Sequence, residues 1–243
     1  MRTPRLTVLL VALLCTAGLS FAATVPTPPL DPANFTAPVA NPFFPLVPGT
    51  TWFYESQTEE GLERTETTVT SDTKVIQGVT ATVVHDVAYL DTNGMTLLIE
   101  DTQDWFAADN FGNVWYLGES TVAYSYDENG NLTGTSTEGS WEAGVDGAQA
   151  GLIMLADPRK GRAYQQEFAE GVAEDMAKVS GVNARVSVPY GDFSNVLVTK
   201  EWSTLSPGDV EVKYYAAGVG LVLVEELKGK GTVRQQLVNV IGP

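Results

Sequence analysis

The sequence predicts a mainly β protein: a single antiparallel, strongly twisted sheet or open barrel with a short helical or irregular insertion. Two observations carry this expectation. From Thr51 onward the chain consists of short runs of β-branched and aromatic residues separated by turn dipeptides, the pattern of strands joined by tight turns. Three of those turns follow one another as hairpin signals, at Asn93-Gly94, Asn110-Phe111-Gly112 and Asn129-Gly130, and consecutive hairpins describe a meander.

The chain before Thr51 is of two kinds. Arg2 and Arg5 precede an unbroken apolar run, Val8 to Leu14, and small residues lead on to Ser20-Phe21-Ala22. That run falls short of the about 20 residues a permanent membrane helix needs. A charged start, an apolar middle and a small-x-small end read as a cleaved secretory signal over residues 1–22, with the mature chain starting near Ala23. Leu14, rather than a small residue, precedes Cys15, which argues against an acylated lipoprotein cysteine. Residues 23–50 hold eight of the 13 prolines. Proline fixes φ and removes a donor, so this is an extended arm, and the aromatics of Asn41-Pro42-Phe43-Phe44-Pro45-Leu46 are expected to pack on the β-rich domain at 51–243.

Within that domain Thr51–Ser56, Arg64–Thr70 and Thr73–Gln77 read as strands, followed by the long β-former run Val79–Leu90. Met95–Glu100 returns across Asn93-Gly94, Asp104–Ala108 pairs with Asn113–Gly118, and Ser120–Tyr126 pairs with Asn131–Thr137. The glycine-rich stretch Gly139–Ala148 cannot be regular throughout. Tyr164–Lys178 is read as partly helical, interrupted by Gly171. Strand texture then resumes at Ala184–Pro189, Ser194–Ser203, Val210–Ala216, Gly220–Leu227 and Thr232–Val240.

Composition narrows the function classes. Losing residues 1–22 removes the one cysteine and two basic residues, leaving 30 acids against 12 bases, a net charge of −18. Such a field repels nucleic acid and anionic membrane surfaces. The expected partner is a small ligand or an envelope protein, in the periplasm or extracellular space, and the chain is not expected to be an integral membrane protein.

Catalytic equipment is sparse. His85 is the single histidine and sits inside a β-run, no Gly-x-Ser-x-Gly or phosphate-binding loop occurs, and no set of His and Cys could hold a transition metal. No enzyme is therefore expected. A carboxylate-dependent hydrolase comes third, and a buried carboxylate pair in a cleft would revive it. No cofactor is expected beyond a calcium ion: Asp127, Asn129, Asn131, Thr133, Thr135 and Glu138 fall at positions 1, 3, 5, 7, 9 and 12 of an EF-hand-like loop, but Leu132 occupies the glycine position and Asn129-Gly130 is a turn in its own right. The candidate ligand-binding residues are Trp105, Trp115, Tyr116, Trp141, Glu142 and Asp146. A tryptophan beside a carboxylate suits a sugar ring or a cation; it equally suits a core indole whose N–H needs an acceptor. A second acidic group, Glu167, Glu174 and Asp175, follows the glycine-rich loop. By strand alternation Asp104 and Phe106 share one face and Trp105 takes the other.

Three segments carry a resemblance. Asp104-Trp105-Phe106-Ala107-Ala108-Asp109 with Gly112-Asn113-Val114-Trp115-Tyr116-Leu117-Gly118-Glu119, Gly139-Ser140-Trp141-Glu142-Ala143-Gly144-Val145-Asp146-Gly147-Ala148, and Lys213-Tyr214-Tyr215-Ala216-Ala217-Gly218-Val219-Gly220 are similar to segments of a family of uncharacterised exported bacterial proteins. Ala217 stands where that family has proline. The likeness runs from about Asn41 to the C-terminus and implies export and a β fold, but no reaction. The leading expectation is thus a non-catalytic ligand-binding protein of the cell envelope, for a lipid, saccharide or cation; the alternative is a structural or protein-interaction module. A deep cavity favours the first, a filled core with a flat exposed patch the second.

Overall fold

The computed structural model describes residues 27–228 and 231–243, so the expected signal segment at 1–22 and its cleavage site lie outside the described residues. Among the described residues no helix is long and apolar enough to cross a membrane. After one 3-10 turn, Pro32–Phe35, the elements are strands: β1 (Thr51–Gln57), β2 (Leu62–Ile76), β3 (Val79–Thr92), β4 (Met95–Ala108), β5 (Val114–Tyr126), β6 (Leu132–Ser136) and β7 (Trp141–Glu142). There follow β8 (Gln149–Met154), β9 (Ala163–Gln165), β10 (Glu167–Phe168), β11 (Asp175–Val188), β12 (Gly191–Ser203), β13 (Val210–Ala216), β14 (Gly220–Lys228) and β15 (Gly231–Ile241).

All pairings between these strands are antiparallel and form one strongly curved sheet, not closed into a barrel. β1 lies at its middle, paired with β2 on one side and β15 on the other. From there the sheet runs outward in two meanders, through β3, β4 and β5 to β8 and β10, and through β14, β13, β12 and β11 to β9. The two ends of the sheet are therefore held by one short segment: β9 pairs with β11 and β10 pairs with β8, with only Gln166 between them. Gly151 permits this seam. A Cβ at Gly151 would stand 2.2 Å from the Gln166 carbonyl oxygen, so no other residue lets the segment approach.

The strands are longer than the sequence pattern suggests. β2 absorbs two predicted strands across a bulge between Val69 and Thr73, and β4 and β5 each absorb two more. The predicted turns are in place: Asn93 and Gly94 both have positive φ, 51° and 77°, as a two-residue hairpin turn requires. The helical reading of Tyr164–Lys178 is overturned. The segment holds β9, β10 and the start of β11, where Met176, Ala177 and Lys178 pair with Gln165, Tyr164 and Ala163. Ala177 and Val179 are fully buried while their neighbours are not; period-two burial and two available pairing edges outweigh local helix preference.

The proline-rich arm is packed on the sheet. Phe35 meets Trp115 edge-on at 5.8 Å and Phe44 meets Phe106 at 5.0 Å. Because Trp115 and Phe106 lie on opposite faces, the arm crosses from one face of the β4–β5 hairpin to the other around loop 109–113. Val39 N–H donates to the Asp109 carbonyl, and the buried Asn41 amide donates to the carbonyls of Gly112 and Leu155. Asp109, 3% exposed, organises this corner: its carboxylate accepts from Phe111 N, Asn113 N, Asn113 Nδ2 and Trp115 Nε1, at 2.8–3.0 Å.

Asp109→Ala leaves a buried indole N–H and two loop amides without their acceptor. Hydrogen bonds to a charged group contribute about 1.5–3 kcal/mol each and are not additive, so urea unfolding is expected to show a loss of about 3–5 kcal/mol. A loss under 1 kcal/mol would show that the corner is held by apolar packing instead.

Candidate functional site

The concave face of the sheet lines an open-mouthed cavity of about 600 Å3. Its wall draws on both halves of the sheet and on the arm, which contributes Phe44, Pro45 and Leu46. Trp52, Tyr54, Phe106, Tyr116 and Tyr215 supply aromatic surface, and Phe106 stacks on Tyr116 at 4.7 Å.

Between the aromatics stand carboxyl groups. Asp86 on β3, Glu100 and Asp104 on β4 and Glu119 on β5 come from one half of the sheet. Glu167 at the seam and Asp175, Glu201 and Glu211 on β10, β11, β12 and β13 come from the other. Among the described residues that line the cavity, Lys213 is the basic one. Its Nζ lies 2.9 Å from Glu201 and 3.1 Å from Glu211. Glu201 also accepts from Thr199 at 2.6 Å.

A β-bulge explains how β4 and β5 both turn their acids inward. Asp104 opposes Glu119 and Phe106 opposes Tyr116, so Trp105 alone faces Leu117 and Gly118. The extra residue shifts the alternation by one and puts Tyr116 and Glu119 on the same face. Gly118 is required there: its φ is +135°, and a Cβ would stand 2.3 Å from the Trp141 carbonyl oxygen. Tyr116 donates its hydroxyl to Asp104, and Thr67 donates to Asp86. Trp141 Nε1 donates to Glu167 Oε2 at 2.8 Å, and the indole meets Tyr116 edge-on.

Low polarizability in the cup makes ionisation costly. Burial, reinforced by Asp175 and Glu119, pushes Glu167 up to about 9, with a hydrogen bond from its protonated form to Asp175 in the same direction. Burial pushes Glu119 to about 7, against the pull of the Tyr116 hydrogen bond. Asp86 is raised to about 6 by burial and by Glu100, with the Thr67 hydrogen bond opposing. Burial also lifts Asp104 well above the usual carboxylate range, with Glu119 and Asp86 adding to the effect. Burial works against the Lys213 ammonium, but Glu201, Glu211 and Tyr215 outweigh it and hold the group above its ordinary value. Glu167 is thus a buried carboxyl with the half-buried Asp175 beside it. Gln166, between β9 and β10 in the seam, is 3% exposed and lines the cavity, and its Nε2 has no hydrogen-bond partner in the protein.

The residues singled out from sequence are divided by the fold. Tyr116 lines the cavity and Trp141 stands behind it, holding Glu167. Trp105 is buried on the opposite face, with Lys74 Nζ 3.2 Å from its ring centroid, and Lys74 pairs with Glu142 at 2.7 Å. Trp115 packs under the arm, and Asp146 is exposed in a loop at φ 49°. Asp127, Asn129 and Asn131 meet as the β5–β6 turn: Asp127 accepts from both asparagine amides and from the Asn131 side chain, which holds it below the usual range. Glu138 lies beyond β6, its N–H bonded to Ser136. Among the described residues no group of three or more His, Cys, Asp and Glu is placed to hold a metal ion. His85, 39% exposed, pairs with Asp101 at 2.8 Å. Sequence reading passed over Asp86, Glu100, Glu201, Glu211 and Lys213; the signal that was available is an acid at the inward-facing positions of otherwise β-forming runs.

No family model matches the chain, and no curated protein matches it significantly. Two solved structures resemble it at low identity. A Bacteroides fragilis protein described as exported, with a YmcC-like fold, aligns with a TM-score of 0.43 and 14% identity over 83% of this chain and 100% of that one. A Parabacteroides distasonis protein described as a lipoprotein aligns with a TM-score of 0.42 and 12% identity over 84% of this chain and 100% of that one.

The raised carboxyls set a pH dependence of stability. The folded protein holds the Glu167 proton to about 9, whereas an ordinary glutamate releases it at 4.5. The contribution is complete below 4.5 and is lost as pH rises to 9; Glu119 acts in the same direction, its loss accumulating from 4.5 and complete near 7. A tenfold difference in proton affinity between folded and unfolded chain is worth about 1.4 kcal/mol, so calorimetry is expected to show stability falling by about 2–4 kcal/mol from pH 5 to pH 8.5. Glu167→Gln should flatten that slope and be the more stable form at pH 8.5. An unchanged slope would place the effect elsewhere.

Proposed function

We propose that the protein is an exported, non-catalytic binding protein of the cell envelope that holds a small ligand in the concave cup of its sheet. The observation that carries this reading is the cavity of about 600 Å3, walled by aromatic rings and carboxyl groups from both halves of the sheet. A filled core would have spoken for the interaction-module alternative; a roomy interior with convergent polar groups is what a ligand site requires. The start of the sequence, with its charged, apolar and small-residue regions, supports export.

The wall itself argues that the groups are retained for binding. A chain selected for stability alone would fill such an interior with apolar side chains, because burying ionisable groups costs free energy. Here Asp104, Glu119 and Glu167 are kept at positions where their ionisation is disfavoured. Perturbed groups in a cleft mark functional sites more often than structural ones. The buried Glu167, with Asp175 beside it, supports one second reading, carboxylate-dependent hydrolysis, in which Glu167 supplies the proton-donating carboxyl.

Native mass spectrometry of the protein purified from its own host's envelope, with and without EDTA, tests these readings together. An added mass that survives EDTA and leaves on denaturation is the expected result. The bare polypeptide in both conditions would overturn the binding reading in favour of the interaction module. Conversion of the released compound to smaller products by fresh protein, abolished in Glu167→Gln, would establish the hydrolase instead.

A further inference from the structure

The chemistry of the cup is one-sided. Once ionised, a carboxylate only accepts hydrogen bonds, whereas a saccharide or a peptide needs donors and acceptors in comparable number. The wall offers Asp86, Glu100, Asp104 and Glu119 from β3, β4 and β5, and Glu167, Asp175, Glu201 and Glu211 from the other half of the sheet. Against them stand Lys213, already paired with Glu201 and Glu211, and the phenol hydroxyls of Tyr54, Tyr116 and Tyr215. Of the phenols, Tyr116 is committed to Asp104 and Tyr54 to the Leu221 carbonyl. The complement of such a wall is a guest that brings donors and positive charge.

The guest is also constrained in shape. A metal ion needs several oxygens converging on one point at about 2.0–2.6 Å, and no such group exists among the described residues. The acids are spread around the wall with aromatic rings between them. Ring faces attract ammonium groups and cover the methylenes that join them. Gln166 adds an independent observation: a nine-tenths-buried amide on the cavity wall with its nitrogen unpartnered in the protein. A buried polar group without a partner is disfavoured until something supplies one, so this nitrogen marks a point on the wall that awaits a guest.

Resting on the binding reading above, we infer that the cup takes an organic polyamine, its ammonium groups distributed among the carboxyls and its methylenes against the rings. Entry of the ammonium groups makes ionised carboxylates favourable where burial had made them costly, so binding expels protons from the wall. The raised values of Glu119 and Glu167 agree with this direction. Binding therefore tightens as pH rises from 5.5 to 8, the opposite of the trend in unliganded stability.

Titration calorimetry of the purified protein with spermidine tests the inference, run at pH 5.5 and pH 8.0, and at pH 8.0 in phosphate and in Tris to count protons. The expected result is saturable one-site binding, at least tenfold tighter at pH 8.0, with net proton release. Asp104→Asn with Glu119→Gln should weaken it at least tenfold. Both substitutions relieve repulsion and should fold, which near-ultraviolet circular dichroism checks; Trp52→Ala, which removes a ring face and leaves every charge, should weaken it independently. Glu60→Gln with Glu128→Gln, on exposed turns, should leave affinity within twofold. Absence of spermidine binding at pH 8.0, equal weakening by the turn substitutions, or insensitivity to the cup substitutions would each overturn the polyamine assignment. If spermidine fails while the host-purified protein still carries a bound mass, the binding reading stands and its guest is not a polyamine; if both fail, both readings fall.

Discussion

The cup depends on backbone hydrogen bonding along one seam, because a sheet this long is stable as a curved wall only when its two ends are occupied. Residues 163–168 serve both ends, β9 on β11 and β10 on β8. Edge groups that would otherwise face solvent or another chain are paired. The cost is a crowded crossing, which Gly151 accommodates by lacking a side chain. The curvature that makes an interior, and the position of Glu167 and Gln166 on its wall, follow from that crossing.

A second dependence runs through the β4–β5 hairpin. Its tip, organised by Asp109, anchors the arm as it passes between faces, and its bulge at Leu117-Gly118 turns Tyr116 and Glu119 inward together. One hairpin thereby couples the arm that helps wall the cavity to the acids that give the cavity its chemistry. Stability and site are in tension here. Apolar packing at Leu117, Val196 and Leu223 holds the sheet, while the carboxyls gathered on its concave face weaken it as they ionise. Proteins tolerate such conflicts where function requires them.

Much of the fold was legible from local pattern. The turns at Asn93-Gly94 and Asp127–Asn131 lie where the dipeptides placed them, because each needs positive φ, at Asn93 and Gly94 in the first and at Gly130 in the second, and few residues supply it. The alternation that sets Asp104 and Phe106 apart from Trp105 also holds. Tyr164–Lys178 misleads because short strands flanked by glycine carry little periodicity, and only the presence of two waiting edges decides their state. The tryptophans illustrate the same limit. Trp115 and Trp141 stand beside carboxylates, but as indoles donating to Asp109 and Glu167 rather than as platforms for a guest.

What the sequence by itself determined is the β class, the hairpin order and the acidic, cysteine-poor character of the β-rich domain, since these rest on turn chemistry, side-chain alternation and charge, all properties of short stretches of chain. Which of its acids share an interior was decided only by tertiary structure. Asp86 and Glu201 are separated by more than a hundred residues and face one cavity because the sheet curves until its ends share the segment 163–168. Curvature accumulates over fifteen strands, from twist, bulges and a single close crossing, and no local window of sequence contains that sum.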